Sequence, residues 1–403
     1  MNCPICAGAS VEMTHLKCAD FDGSPLYQDI RLRTCNECHH VFNELTTEEK
    51  LGIGEYYEKE SSLINMSGTT FHGDLPGSDN TLSIQRYEQV YKFLSNHISR
   101  EMRILDVGCG MGGFVRFLHS NGYTNTEGVD FLESYIRFAQ NEGPGTFHTA
   151  SAYSLPFEDS TYDLIILDHV LEHVLNPVQV MSELKRVSRR GGLVYIGVPA
   201  ASQYGDYPFF DFFWLCLREH IHHFDAAAIS FLTASFNLAP VDQAIIYSQM
   251  MSGAMILPNS LSLFRNQLEK VQRDSISASQ NLISKMEDYI ETEAMYLEKH
   301  KRVISSLVDK KVPTYVWGIG KELFCLYANT ELKYCTNLTL IDKNQVKQTS
   351  MKLDGQSILG NSILESASKD SVLIVAAVAH EDSIIKEAGQ IGYKGNIITL
   401  GRT

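Results

Sequence analysis

The chain has 403 residues, enough for two or three domains at about 150 residues each. Hydrophobic residues make up 44% and charged residues 20%, a balance that sets aside extended disorder. Lys and Arg number 34 against 48 Asp and Glu, a formal charge of −14, so the basic field of a nucleic-acid binder is missing and no nucleic-acid partner is expected.

No apolar run approaches the ~18–20 residues of a bilayer span, and Met1-Asn2-Cys3-Pro4-Ile5-Cys6 lacks the basic and apolar regions of a signal peptide. No membrane association is expected. Of nine cysteines, four form two Cys-x-x-Cys pairs, which suits metal binding in a reducing cytoplasm better than a disulfide framework.

Residues 1–45 are polar and rich in Cys and His, and read as a zinc-binding module. Residues 46–100 read as a helical and loop lid. Loops are expected at Met66-Ser67-Gly68-Thr69-Thr70 and from Gly73 to Asn80, then a helix carrying Ile84, Tyr87, Val90, Tyr91 and Leu94 at helical spacing. From 101 to 257 strands and helices alternate: strands at 103–107, 125–130, 162–167 and 192–198, helices at 113–121, 133–141 and 178–187. That rhythm predicts an α/β, doubly wound, Rossmann-like parallel sheet with helices on both faces. An aromatic stretch from Tyr204 to Trp214 and a His-rich segment follow.

Residues 258–312 read as a helical connector, with no Gly between Gly253 and Gly318 and a stripe of Leu282, Met286, Ile290, Ala294 and Leu297. Residues 313–403 form a C-terminal Rossmann-like unit, with strands at 314–317, 338–341, 371–377 and 396–400 and helices at 321–329 and 380–388. Its Gly318-Ile319-Gly320 turn and Asp342 have the outline of a dinucleotide site. Leu323, however, stands at the third glycine position, where it would crowd a pyrophosphate, so a structural or substrate-supporting role is expected.

The segment Asp106-Val107-Gly108-Cys109-Gly110-Met111-Gly112-Gly113 follows a strand and opens a helix. Glycines there let the backbone turn tightly and approach a ligand without a Cβ in the way. Asp130 ends the next strand, 24 residues beyond Asp106, where a carboxylate can accept hydrogen bonds from both ribose hydroxyls. Downstream come Leu155-Pro156-Phe157, Tyr162 to Ile166, Val170-Leu171-Glu172-His173-Val174, Leu184 to Val187 and Arg190-Gly191-Gly192-Leu193. This ordered set resembles the class I S-adenosylmethionine-dependent methyltransferases over roughly residues 100–200. The resemblance implies that Asp106 and the Gly108, Gly110 and Gly112 loop pass under the methionine part of the cofactor. Asp130 would hold the ribose and Phe131 flank the adenine. Ser151 occupies a position that is often acidic in relatives, so Ser151 and Ala152 are the expected adenine contacts.

Cys3-x-x-Cys6 and Cys35-x-x-Cys38 are separated by 28 residues, and four such thiolates can close a tetrahedron around a structural Zn²⁺. Residues 1–50 carry four Lys/Arg against eight Asp/Glu, which disfavours RNA as the partner of this module. The Asn-Pro-Pro-Tyr and Pro-Cys signatures of base methylation are also missing.

Arg218-Glu219-His220-Ile221-His222-His223 lies about 20 residues after the last strand of the first α/β unit. Segments there line the ligand crevice of a doubly wound sheet. Methyl transfer to a carbon beside a carbonyl, or to a hydroxyl, needs a base; His220, Glu219 and His173 are the candidates. The cysteine module, the central unit, Glu-His after the core and the C-terminal Rossmann-like unit together resemble the sugar C-methyltransferase family. That family acts on nucleotide-linked keto-deoxysugars in natural-product and surface-polysaccharide pathways. By this resemblance His173 faces the substrate, Glu219 and His220 are the Glu-His pair, and Tyr56 or Tyr57 is the catalytic tyrosine. Where the family often has Tyr-His before Glu-His, this chain has Leu217-Arg218. The expected function is C- or O-methylation of a nucleotide-activated sugar; another small acceptor, RNA, and a non-enzymatic nucleotide-sugar or partner-binding scaffold are the alternatives.

Overall fold

A computed structural model describes residues 1–66, 77–206, 212–250, 255–272 and 280–401. The loops expected between 66 and 80, and the middle of the aromatic stretch after Tyr204, lie mostly outside the described residues. The N-terminal module forms an antiparallel ladder of β1 (Ser10–Lys17), β2 (Asp29–Cys35) and β3 (Val41–Asn43), in which Ile30, Leu32 and Val41 are fully buried. Two helices follow: α1 (Thr47–Met66) and α2 (Thr81–Leu94). Asn80 starts α2 by accepting from the Leu82 and Ser83 amides, and Tyr87, Val90 and Leu94 are buried along one face.

The central unit alternates β4 (Ile104–Val107), α3 (Gly113–Ser120), β5 (Thr126–Asp130), α4 (Glu133–Glu142), β6 (Thr146–Thr149), β7 (Tyr162–Asp168), α5 (Pro177–Val187) and β8 (Ser188–Pro199). Leu164, Ile165, Ile166 and Leu167 on β7 are all fully buried, as a strand covered by helices on both faces requires. Asn176 caps α5 and Pro177 occupies its first turn, where a missing amide proton costs nothing. The chain continues through α6 (Phe213–Cys216), β9 (His222–His223), α7 (Ala226–Ala234), β10 (Leu238–Met250) and β11 (Met255–Asn266).

The sheet order β10-β11-β8-β7-β4-β5-β6 has a parallel core with an antiparallel hairpin on one side. The helical expectation from residue 258 is therefore corrected. Residues to Asn266 are strand, and only α8 (Gln280–Asp309) is helical in that region. The lack of Gly and Pro suits either structure, but Ser260, Leu261, Ser262 and Leu263 alternate with period two, and β8 and β10 supply ladders on both sides. On α8, Leu282, Met286 and Leu297 are buried as expected; Ala294 is exposed, and Glu293 is buried instead, accepting from the Phe212 amide at 2.8 Å.

The C-terminal unit comprises β12 (Thr314–Trp317), α9 (Lys321–Asn329), β13 (Leu338–Ile341), α10 (Gln345–Ser350), β14 (Lys352–Leu353), β15 (Gln356–Leu359), β16 (Val372–Val375), α11 (Glu381–Ile391) and β17 (Asn396–Thr399). Its sheet runs β14-β15-β13-β12-β16-β17, parallel apart from the β14–β15 pair. The short strands β6, β14 and β15 were not expected, because Thr-Phe-His-Thr, Lys-Leu and Gln-Ser-Ile-Leu lack the continuous apolar run that marks a short strand such as β16. The described helices include none long and apolar enough to cross a membrane.

The third sheet joins distant segments. β9 becomes the outer strand of the N-terminal ladder, with Val41 opposite His223 and Phe42 opposite His222. The residues just before β9 are Glu219 and His220, so the N-terminal module sets their backbone.

Candidate active site

The glycine loop leaves β4 with Gly108, Gly110 and Gly112 at φ of +78°, +55° and +79°, a left-handed backbone that side chains disfavour. A Cβ on Gly108 would collide with Val170 Cγ2, and one on Gly112 would lie 2.6 Å from the Phe147 ring. The Gly77–Asp79 segment lies over this loop: the Gly113 amide donates to Gly77 O at 2.8 Å, and Asp79 pairs with Arg116. Sequence reasoning placed this segment in a featureless loop, since no local pattern marks a backbone that docks on another backbone.

Asp106, Asp130 and Asp168 end the adjacent strands β4, β5 and β7, and form an acidic trough at the carboxyl edge of the sheet. Burial first, then the Asp168 and Asp130 charges, pushes Asp106 up to about 8, against the pull of Arg86. Arg86 pairs with Asp168, whose other oxygen accepts from Tyr195 Oη at 3.2 Å. Asp130 accepts from the Gly110 amide through Oδ2 and the Leu132 amide through Oδ1, each at 2.9 Å. These bonds aim its carboxylate across the loop and leave lone pairs on both oxygens for further donors. Phe131 is 47% exposed beside it, and Ser151 and Ala152 follow β6 on the same edge. The trough suits a ligand carrying an ammonium and a sulfonium. Backbone space at Gly108, Gly110 and Gly112, the Asp130 carboxylate and the exposed Phe131 ring could hold S-adenosylmethionine. Arg86 and Asp168 were not among the residues expected from the sequence; the β4–β7 pairing shows the place of Asp168, and its ion pair with Arg86 of α2 brings that side chain in.

Tyr57 of α1 connects this trough to the acid–base cluster. Its ring packs edge-on against Phe131 at 5.7 Å, and its hydroxyl lies 2.7 Å from His173 Nδ1. The same nitrogen is 3.0 Å from the Glu219 carbonyl, and the His173 and His220 rings pack at 4.7 Å, nearly perpendicular. Thus Tyr57, His173, Glu219 and His220 meet, although 163 positions separate the first from the last. Burial, together with His173, drives His220 well below the ordinary histidine range, so its imidazole is neutral at pH 7. Its Nδ1 is buried and has no hydrogen-bond partner among the described residues. Burial raises Glu219, but the Lys321 ammonium, His220 and a Lys321 hydrogen bond outweigh it and hold the carboxyl at about 2.

Glu172, beneath this cluster, is buried and stands 3.1 Å from His169 Nδ1 and 3.8 Å from His173 Nε2. Burial alone would raise it; the hydrogen bond and charge of His169 bring it below the usual range instead. Its carbonyl accepts from the Ile221 and His222 amides, locking the Glu219–His220 segment to the strand end. From the other side Asn43 donates to the His220 carbonyl and to Tyr27 Oη, each at 3.0 Å. Arg218 is turned away from the cluster, paired with Asp20 and donating to Tyr27 O.

The four sulfurs of Cys3, Cys6, Cys35 and Cys38 all lie within 4.8 Å of one another. Cys3 and Cys38 are 3.6 Å apart, Cys6 and Cys35 3.4 Å, and Cys6 and Cys38 3.5 Å. A tetrahedron with Zn–S bonds of about 2.3 Å has edges close to these values. The amides of Ile5, Glu37 and Cys38 point at the sulfurs of Cys3 and Cys35, as they do around a bound metal thiolate. All nine cysteines are free of disulfides.

Residues 105–196 match the methyltransferase-domain family. The chain is 32% identical over 115 residues to an uncharacterized methyltransferase of Schizosaccharomyces pombe, covering 25% of this chain and 41% of that protein. It is 28% identical over 149 residues to cycloartenol-C-24-methyltransferase 1 of Oryza sativa subsp. japonica, covering 34% and 43%. A solved structure of a SAM-dependent methyltransferase from Methanosarcina mazei aligns with 22% identity over 44% of this chain and 99% of that chain, at a TM-score of 0.38. The chain spans about half or less of the length of the curated relatives it matches. Glycine loop, acidic strand ends and family match together define a class I S-adenosylmethionine-dependent methyltransferase domain at the centre of the chain.

Proposed function

We propose that the protein transfers a methyl group from S-adenosylmethionine to a carbon or hydroxyl oxygen of a nucleotide-activated keto-deoxysugar. The observation that carries this reading is the buried His220 imidazole, whose Nδ1 has no hydrogen-bond partner among the described residues and whose ring packs on His173, which Tyr57 links to Phe131. Asp106, Gly108, Gly110, Gly112, Asp130, Phe131, Ser151 and Ala152 would hold the cofactor, which when bound supplies an electrophilic methyl on a sulfonium. His220 removes the proton from the acceptor carbon next to a carbonyl, or from a hydroxyl, as the methyl is transferred. Ionised Glu219 then steadies the imidazolium that forms. His173 and Tyr57 orient the acceptor oxygen, and the packing of Tyr57 between Phe131 and His173 sets the reacting atom beside the cofactor.

The sugar class rests on the combination of cysteine module, Glu-His pair and C-terminal Rossmann-like unit around one methyltransferase domain. Cys3, Cys6, Cys35 and Cys38 would hold a structural Zn²⁺; four sulfurs leave no open coordination position for catalysis. The acidic trough and the charge of −14 disfavour RNA as the acceptor.

The test is a mass-spectrometric screen of nucleotide-linked sugars for a gain of one CH₂ unit, run with the full chain and with His220→Ala. Turnover should fall by about a hundredfold or more in His220→Ala while the affinity for S-adenosylmethionine stays within about twofold. Unchanged turnover removes His220 from the mechanism. A product formed only from unactivated small molecules transfers the reading to another acceptor class.

A further inference from the structure

We propose that the C-terminal α/β unit is part of the catalytic apparatus through Lys321, a positioning residue that fixes Glu219 beside His220. This rests on the roles given above to Glu219 and His220. Lys321 is the first residue of α9, immediately after the Gly318-Ile319-Gly320 turn. Its Nζ pairs with Glu219 Oε1, whereas Glu219 Oε2 is buried with no hydrogen-bond partner among the described residues. Glu219 is the more shielded partner, with a side-chain exposure of 15% against 33% for Lys321. It spans 102 positions and joins the segment just before β9 to the start of α9, beyond the carboxyl end of β12.

The turn that launches Lys321 is braced from within. Gly318 has φ of +103°, and a Cβ there would lie 2.6 Å from Ala377 Cβ. The Ile319 amide donates to Asp342 Oδ2 at 3.0 Å, and Lys347 Nζ donates to Ile319 O at 2.7 Å and to the same Asp342 oxygen at 2.8 Å. In a dinucleotide-binding unit, the acidic residue at this strand end faces a ribose. Here Lys347 and the turn itself occupy Asp342, so the glycine turn serves as a rigid platform for one ammonium group. That gives the motif a purpose that neither cofactor binding nor plain packing explains.

The charged and titratable groups facing Glu219 are Lys321 from α9, His220 and His173 from the central unit, and Tyr27 from the N-terminal module. Of these only Lys321 carries a permanent positive charge. Without it the carboxyl is half-surrounded by apolar groups and neutral rings, and it takes up a proton that removes its support for the His220 imidazolium. Arg can replace the charge, although with a different fork geometry.

The experiment compares Lys321→Met and Lys321→Arg in the full chain, using methyl-transfer kinetics across pH and ¹³C NMR of the glutamate carboxyls, with Glu219 assigned by Glu219→Gln. Lys321→Met should lower kcat by about tenfold, with acceptor KM and S-adenosylmethionine affinity unchanged. It should also introduce a Glu219 titration above about pH 5 that the parent lacks. Lys321→Arg should restore both. A raised acceptor KM with unchanged kcat would make Lys321 an acceptor-binding residue, and parental kinetics with an unmoved Glu219 titration would reduce the pair to a docking contact. Should Lys321→Met melt below the assay temperature, Lys321→Gln with the same NMR readout decides. The NMR arm needs no turnover, so a wrong acceptor class leaves this inference testable on its own.

Discussion

Gly108 offers a direct test of the cradle, because Gly191 provides a matched control. Both residues have nearly the same left-handed φ, +78° and +77°. A Cβ on Gly191 meets nothing within 4 Å, whereas on Gly108 it overlaps the Val170 side chain. Gly191→Ala therefore costs only the backbone strain of a left-handed alanine, about 1–2 kcal/mol. Gly108→Ala adds a steric term of about 1–3 kcal/mol, for a total of about 2–5 kcal/mol. For a unit of this size that corresponds to a Tm lower by about 4 °C at least, and by roughly twice the Gly191→Ala shift. Relief of the overlap moves either Val170 or the loop proposed to hold the methionine end of the cofactor. Calorimetric titration should show S-adenosylmethionine binding weakened by at least tenfold in Gly108→Ala and unchanged in Gly191→Ala. Equal Tm shifts in the two variants, or parental affinity in Gly108→Ala, would refute the cradle geometry.

Three further outcomes follow from the same structure. Asp106 is held near 8 in the fold against about 3.9 in an unfolded chain, so between those values the folded protein binds more protons than the unfolded one. The contribution of Asp106 to the stability of the free protein should therefore fall as pH rises from about 4 to about 8, and level off above, read as the difference between the parent and Asp106→Asn. A cationic ligand favours the ionised form, so the S-adenosylmethionine affinity should rise between about pH 6 and about pH 8.5, and Asp106→Asn should flatten that rise; an equally steep dependence in the variant sinks the assignment. Metal analysis should find about one zinc per chain, lost in Cys35→Ser. That loss should lower turnover more than cofactor affinity, because β3 holds the strand that follows His220; zinc-free protein with full turnover would contradict this.

Much of this protein is legible in the sequence because its signals are local. The glycine loop, the carboxylate ending the next strand and the two cysteine pairs each lie within a single turn or one βαβ step. Backbone sterics and metal geometry dictate such patterns at short range. Alternating strands and helices from 103 to 198 are also marked by periodicity, and they appear as the parallel core of the central sheet. The β10–β11 hairpin escaped because its alternation was weaker evidence than a long stretch without Gly or Pro. Only the partner strand β8 decides which pattern is satisfied.

The composition of the acid–base cluster belongs to the tertiary structure. Tyr57 and His173 are 116 positions apart, and Lys321 reaches Glu219 across 102. Neither pair leaves a periodic trace, since a single side-chain contact between domains imposes no constraint on its sequence neighbours. The contact of Tyr57 with His173, the turning away of Arg218 toward Asp20, and the capture of His222 and His223 as a strand of the cysteine module were likewise decided by long-range packing. Local chemistry marks where a cofactor and a metal fit; closing the chain into three sheets determines which side chains meet beside them.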